Sequence, residues 1–188
     1  MVGTHRGQAV KRAQIGVVFL ICAVVAAGGC SAPQPPPSPQ ARAFQQQVLQ
    51  QINNLTEKLT GSLSAGQDWE SLKPILQAGY KEMKKQGKPV PQEIVVLDRE
   101  GITRVRVPSE STRHYDFSQY KPARTALKKK RKGQAILYLK GSKIFIILAP
   151  LLQKDKVLGA VALSFSEEEM QKKWQISAEE FLNLDFNQ

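Results

Sequence analysis

From Ala41 the apolar residues Phe44, Val48, Ile52, Leu55 and Leu59 recur at intervals of four and three, with glutamines and asparagines between them. Side chains so spaced stack on one side of a helix, so segment 41–68 reads as an amphipathic N-terminal helix that closes in the break GSLSAGQD. A second helix is predicted from near Ser71, where Pro74 is tolerated because a first-turn N–H has no intrahelical partner, through Leu76, Tyr80 and Met83 to the stop GKPVP. The pattern then changes to short β-rich runs. EIVVLD and ITRVRV, joined by DREG, read as a hairpin in which Asp98 starts the turn and Gly101 takes positive φ. QAILYL, KIFIILAPL and KVLGAVALSF follow, with the short separators KGS and QKDK of a meander. Ser166 with Glu169, and Ser177 with Glu180, have the spacing of capping boxes, so the tail 167–188 is predicted to be helical.

Ahead of the first helix the pattern is different. Arg6, Lys11 and Arg12 precede IGVVFLICAVVAA, an uninterrupted apolar run of 13 residues. A transmembrane helix needs about 20 apolar residues, so this run is short for a span and suits the h-region of a signal peptide. It ends in AGGCSAP, which resembles the lipobox of bacterial lipoproteins, where cleavage leaves the cysteine as an acylated N-terminus. Ala27 departs from that pattern, which usually has Leu there. The resemblance implies a lipoprotein signal peptide over 1–29, lipidation of Cys30 and attachment to a membrane through that lipid. A plain secretory signal cut near the same place is the alternative. SAPQPPPSPQ then gives an extended, polyproline-like tether, so 30–40 reads as the lipidated cysteine and its spacer. Ser31 is not the Asp that favours inner-membrane retention, which leans the anchor toward the outer membrane, facing the periplasm.

Charge and cysteine count narrow the partners. The 27 basic and 16 acidic residues give +11, and removing 1–29 takes away three basic residues and no acidic ones, leaving +8. A basic exported chain without a recognition motif is a poor partner for nucleic acid. Cys22 falls in the removed part, so Cys30 is left without a second cysteine for a disulfide framework or a Cys metal site. The basic run KKKRK, near Lys121 and Arg124, has two readings: a solvated helix end, or a patch drawn to anionic head groups at about 1 kcal/mol per residue near the surface.

Between hairpin and meander lies a connection of roughly 25 residues, a length at which connections are usually functional or carry structure of their own. IVVLDREGITRVRVP, then YDFSQYKPARTALK, then a strand ending in LAPL, then KVLGAVALSF, together resemble the Cache superfamily of PAS-like extracytoplasmic sensor domains. With the preceding LKPILQAGYKEMKKQG the resemblance spans Ser71 to Phe165, and it places the Cache-like domain at 69–166. It implies an α+β fold, with a five-stranded antiparallel sheet in the order 2-1-5-4-3, a long N-terminal helix on one face and the β2–β3 connection covering the other. A small-molecule pocket would lie under that cover. Domains of this kind usually sit between two transmembrane helices and report to an output module; neither a second membrane segment nor such a module is recognisable here.

The connection holds HYDFSQYKPA. His114 beside Tyr115 and Asp116 raises acid–base catalysis, but adjacent residues rarely supply that geometry and no catalytic motif accompanies them. Neither enzymatic activity, nor a metal site, nor a cofactor is predicted. Arg104, Arg106, Tyr115, Asp116, Tyr120 and Tyr138 are the polar groups predicted to face a pocket. Strand alternation puts Ile102, Arg104 and Arg106 on one face, where two guanidinium groups can grip an anionic ligand; a solvated sheet edge is the other reading. Asp116 can instead cap a short helix begun by Ser118, with Tyr120 packed beneath it. The apolar stripe from Phe44 to Leu59 can pack on the domain's own sheet or form a coiled-coil seam in a homodimer, and packing is preferred because the run is short. The expected function is a ligand-binding sensor for an organic acid, amino acid or amine that reports to a membrane receptor or envelope protein. The alternative is an envelope scaffold whose pocket does not work.

Overall fold

The computed structural model describes residues 36–87, 89–109, 114–139 and 141–188. The signal peptide, the lipobox and Cys30 lie outside the described residues. The first helix, α1, runs Pro39–Ser64; Ser38 Oγ accepts from the Ala41 N–H at 3.1 Å, and Pro39 occupies the first turn, where an amide donor is not needed. The predicted stripe is its inner face: Phe44, Val48, Ile52, Leu55 and Leu59 are all buried. A 3₁₀ turn at Glu70–Leu72 leads into α2, Lys73–Lys85.

Among the described residues the strands are β1 Glu93–Asp98, β2 Thr103–Val107, β3 Gly133–Leu139, β4 Ser142–Gln153 and β5 Lys156–Ser166. They form one antiparallel sheet in the order β2-β1-β5-β4-β3, as the Cache resemblance implies. Between β2 and β3 the chain forms α3, Lys121–Lys129, and after β5 a π-helical turn at Glu169–Lys173 precedes α4, Ala178–Asn183.

Period-two alternation divides the sheet into two apolar layers. Ile94, Val96, Phe145, Ile147, Leu163 and Phe165 face α1 in the larger core. Phe44 meets Phe165 and Trp174 edge-on at 5.3 and 5.5 Å, so the α1 stripe is consumed inside the chain's own core. On the opposite face Leu97, Ile146, Leu148, Ala160 and Ala162 pack against Ala123 and Ala126 of α3.

Both predicted capping boxes form only in part. Ser166 Oγ accepts from Glu169 N and Ser177 Oγ from Glu180 N, each at 3.1 Å. The glutamates do not reach back as the box requires. Glu169 Oε1 accepts from Trp174 Nε1 at 3.2 Å, and Glu180 Oε1 from Ser38 N at 2.8 Å, which ties the tail to the start of α1. Instead of an α-helix after Ser166 there is a π turn, closed by Trp174 N donating to Glu169 O at 3.3 Å; the wider turn keeps Met170 buried with Trp174 on Phe44. No helix among the described residues is long and apolar enough to cross a membrane. Pro36–Gln188 is one compact unit in which both apolar layers close, so it carries the contacts its own folding requires.

Candidate functional site

The sheet face away from α1 is only half covered. Its floor dips along β5, where Ala162 lies between Val95 of β1 and Leu148 of β4 and the next residue on the same face is Ser164. Longer side chains stand on either side, Val95 and Leu97 from β1, Ile144 and Ile146 from β4, Leu137 and Leu139 from the edge strand β3. Small residues between large ones leave a trough. With Tyr115, Phe117 and Tyr120 across its open side, the trough becomes a cavity of about 490 Å³, within the size range of small-molecule sites.

The start of the cover is fastened to the β1–β2 hairpin. Asp98 Oδ1 accepts from the N–H groups of Glu100 and Ile102 at 3.0 and 2.9 Å, which shapes the turn. Gly101 has φ +87°, and a Cβ there would stand 2.9 Å from the Ser118 backbone, so the position requires glycine both for its dihedral and for the close approach of the cover. Phe117 N donates to Gly101 O, and Thr103 N to Tyr115 O, both at 2.9 Å; Tyr115 N donates to Thr103 Oγ1 at 2.6 Å. His114 donates through Nδ1 to the Thr103 carbonyl, so that ring nitrogen is spent on backbone.

Of the residues predicted to face a pocket, Arg106, Tyr115 and Tyr120 line the cavity, whereas Arg104, Asp116 and Tyr138 do not. Arg104 is displaced by a bulge. Val96 pairs with Val105 and Leu97 with Thr103, so Arg104 is an extra residue opposite nothing. Alternation resets across it, which places Thr103 and Arg106 at the cavity while Arg104 Nε and Nη2 both reach Asp98 Oδ2 at 2.6 Å. The expected shared face of Arg104 and Arg106 is thereby corrected. Asp116 is exposed and accepts from Ser118 N at 2.7 Å; hydrogen bonds from the Ser118 side chain and backbone hold its carboxyl below the usual range. Its contact closes a tight turn and not a helix, since α3 begins at Lys121 with Tyr120 at its N-cap. Tyr138 is 70% exposed: Leu137 and Leu139 take the cavity face, so period two sends Tyr138 to the other.

Two features of the site follow from tertiary packing and not from local sequence. Arg106 donates to Glu93 Oε1 through Nε at 2.8 Å and Nη2 at 2.6 Å, and its guanidinium stands 5.0 Å from the centre of the Tyr115 ring. The arginine expected to grip an anion is already neutralised. Tyr120 is tilted against Phe117 at 6.1 Å, and its hydroxyl is buried without a hydrogen-bond partner; burial pushes the phenol above its ordinary pKa. Sequence reasoning missed Glu93, Phe117, Ser164 and the aliphatic walls. The signal for the walls was present in the alternate positions of KIFIILAPL and KVLGAVALSF, whose two faces are both apolar and differ in size. Among the described residues no group of three His, Cys, Asp or Glu side chains is placed to hold a metal ion.

No protein-family model matches the sequence, and no curated protein matches it significantly. Solved structures do. The ligand-binding domain of the Pseudomonas aeruginosa PAO1 amino acid chemoreceptor PctB, in complex with L-Gln, is 17% identical with a TM-score of 0.50, over 78% of this chain and 56% of that one. The ligand-binding domain of the Campylobacter jejuni chemoreceptor Tlp3, in complex with 4-methylisoleucine, is 10% identical with a TM-score of 0.50, over 71% of this chain and 58% of that one. The fold is that of the Cache-type sensor domains. The chain spans less than three fifths of the length of either chemoreceptor domain. Its Cache sheet carries the cavity between the central strands and the β2–β3 cover.

Proposed function

We propose that this chain is a small-molecule-binding sensor domain of the bacterial cell envelope, held at a membrane by lipid on Cys30, which presents the occupancy of its cavity to a partner membrane protein. The reading is carried by the cavity of about 490 Å³ under a separately fastened cover. Chemoreceptor domains of the same fold that hold L-Gln and 4-methylisoleucine support it. Occupancy acts by population shift: a molecule touching both the sheet and Tyr115, Phe117 or Tyr120 favours whichever position of the cover makes those contacts.

Thermal unfolding of Pro36–Gln188 against organic acids, amino acids, amines and apolar compounds tests the binding step. A true ligand at a hundredfold excess over its Kd adds about 2.7 kcal/mol to stability. Ala162→Phe, which fills part of the trough from its floor, is expected to shrink that shift, most for the bulkiest ligands. A screen that leaves the midpoint unmoved for every class favours the scaffold reading instead. Anchoring is tested separately. Cys30→Ser is expected to move the protein from the membrane to the soluble fraction, and continued membrane retention would count against lipidation.

A further inference from the structure

We infer that the cavity takes a predominantly apolar molecule, an aliphatic chain with one neutral hydrogen-bond acceptor, and not an amino acid or a short organic acid. The inference rests on the reading of this cavity as a ligand site. A free amino acid brings a carboxylate and an ammonium that both need counter-groups once removed from water. Among the described residues lining the cavity the charged ones are Arg106 and Glu93, and these are joined at 2.6 Å with their side chains only 18% and 22% exposed. An entering carboxylate has to take Arg106 from Glu93 and then lie beside the carboxylate it displaced. An ammonium meets the mirror problem at Glu93. A singly charged ligand therefore adds no ion pair. An amino acid that inserts both of its charges turns the one pair into two only by parting a guanidinium doubly bonded at 2.8 and 2.6 Å and stripping the water from two further charges, a desolvation cost that offsets the added attraction.

The rest of the lining asks for something else. Val95, Leu97, Leu137, Ile146 and Leu148 present aliphatic surface from three strands. Tyr120 adds one specific demand, because its buried hydroxyl has no acceptor in the protein. A buried donor left unpaired is a standing penalty, and a small rotation of the side chain toward a ligand oxygen removes it. An alcohol, ketone or ester oxygen at Tyr120, with the chain lying along the leucines and valines, satisfies both features without opening the Arg106–Glu93 pair.

The test uses straight-chain 1-alkanols of increasing length, titrated calorimetrically into Pro36–Gln188. Affinity is expected to rise about fourfold per added methylene until the trough is full, with a negative heat-capacity change. Tyr120→Phe removes only the partnerless hydroxyl, so it keeps the fold, weakens every member by about fivefold and leaves the chain-length slope intact. Ala162→Phe makes the slope stop at a shorter chain. If amino acids or short acids bind while the alkanols do not, the cavity is a ligand site but the apolar class is wrong. If no alkanol, acid or amino acid binds, the sensor reading fails with it. A flat chain-length series, or a Tyr120→Phe variant that binds the series as well as the parent, also overturns the assignment.

Discussion

Gly159→Val is expected to destabilise the domain by about 3 kcal/mol, which for a domain of this size lowers the melting midpoint by roughly 6–12 °C. Gly159 lies in β5, paired with Asp98 on one side and Leu151 on the other. A Cβ there would stand 2.2 Å from the Leu97 carbonyl oxygen and 3.2 Å from Cη2 of Trp69. Leu97 is backbone of the adjacent strand and cannot swing aside, so β1 and β5 have to separate where they hold the sheet together. The register slips here too, since Leu151 faces Gly159 while Leu152 faces Val157, and a glycine inside a strand commonly marks such a bulge or a close backbone approach. Gly61→Ala is the matched control. Nothing lies within 4 Å of a Cβ at Gly61 on α1, so that change is expected to stabilise by about 0.5–1 kcal/mol. Urea and thermal denaturation of both variants decide the matter; a Gly159→Val midpoint equal to the parent's would mean that the strands part without cost.

The strands and the helix stripe were legible because burial imposes a period. EIVVLD is β1 from end to end, and the five apolar residues from Phe44 to Leu59 are the buried face of α1. The cover was legible as a long connection, with its aromatics at the cavity mouth. What the sequence hid depends on register. ITRVRV alternates without fault, so nothing in it betrays that Arg104 is an extra residue; the slip appears only when β2 is laid against β1. The Glu93–Arg106 pair joins residues 13 apart through the same alignment, and it alters the chemistry of the site more than any single residue does. Tyr138 was misplaced for a simpler cause. A polar aromatic on an edge strand suggests a binding contact, but the face it takes follows from its neighbours, Leu137 and Leu139, which are the residues that reach the cavity.

Asp98→Ala is expected to cost about 3 kcal/mol and to loosen the mouth of the cavity as well as the fold. The Asp98 side chain is only 4% exposed and serves three donors: the Glu100 and Ile102 amides through Oδ1 and the Arg104 guanidinium through Oδ2. Alanine leaves all three without that acceptor. Asn keeps an oxygen for the two turn amides and loses the charge-assisted bond to Arg104, so Asp98→Asn is expected to cost less, about 1–2 kcal/mol. The functional consequence passes through Gly101, whose carbonyl receives the Phe117 amide, and through Thr103, whose amide donates to Tyr115. A turn that no longer holds Gly101 at positive φ releases the first rung of the cover. Hydrogen exchange is expected to accelerate at Thr103 and Phe117 in Asp98→Ala well before the amides of β4 and β5 respond, because the hairpin end opens locally while the central strands stay closed. Equal acceleration across the whole sheet would show instead that turn and core open as one unit, leaving the cover without an independent hinge through which occupancy could be reported.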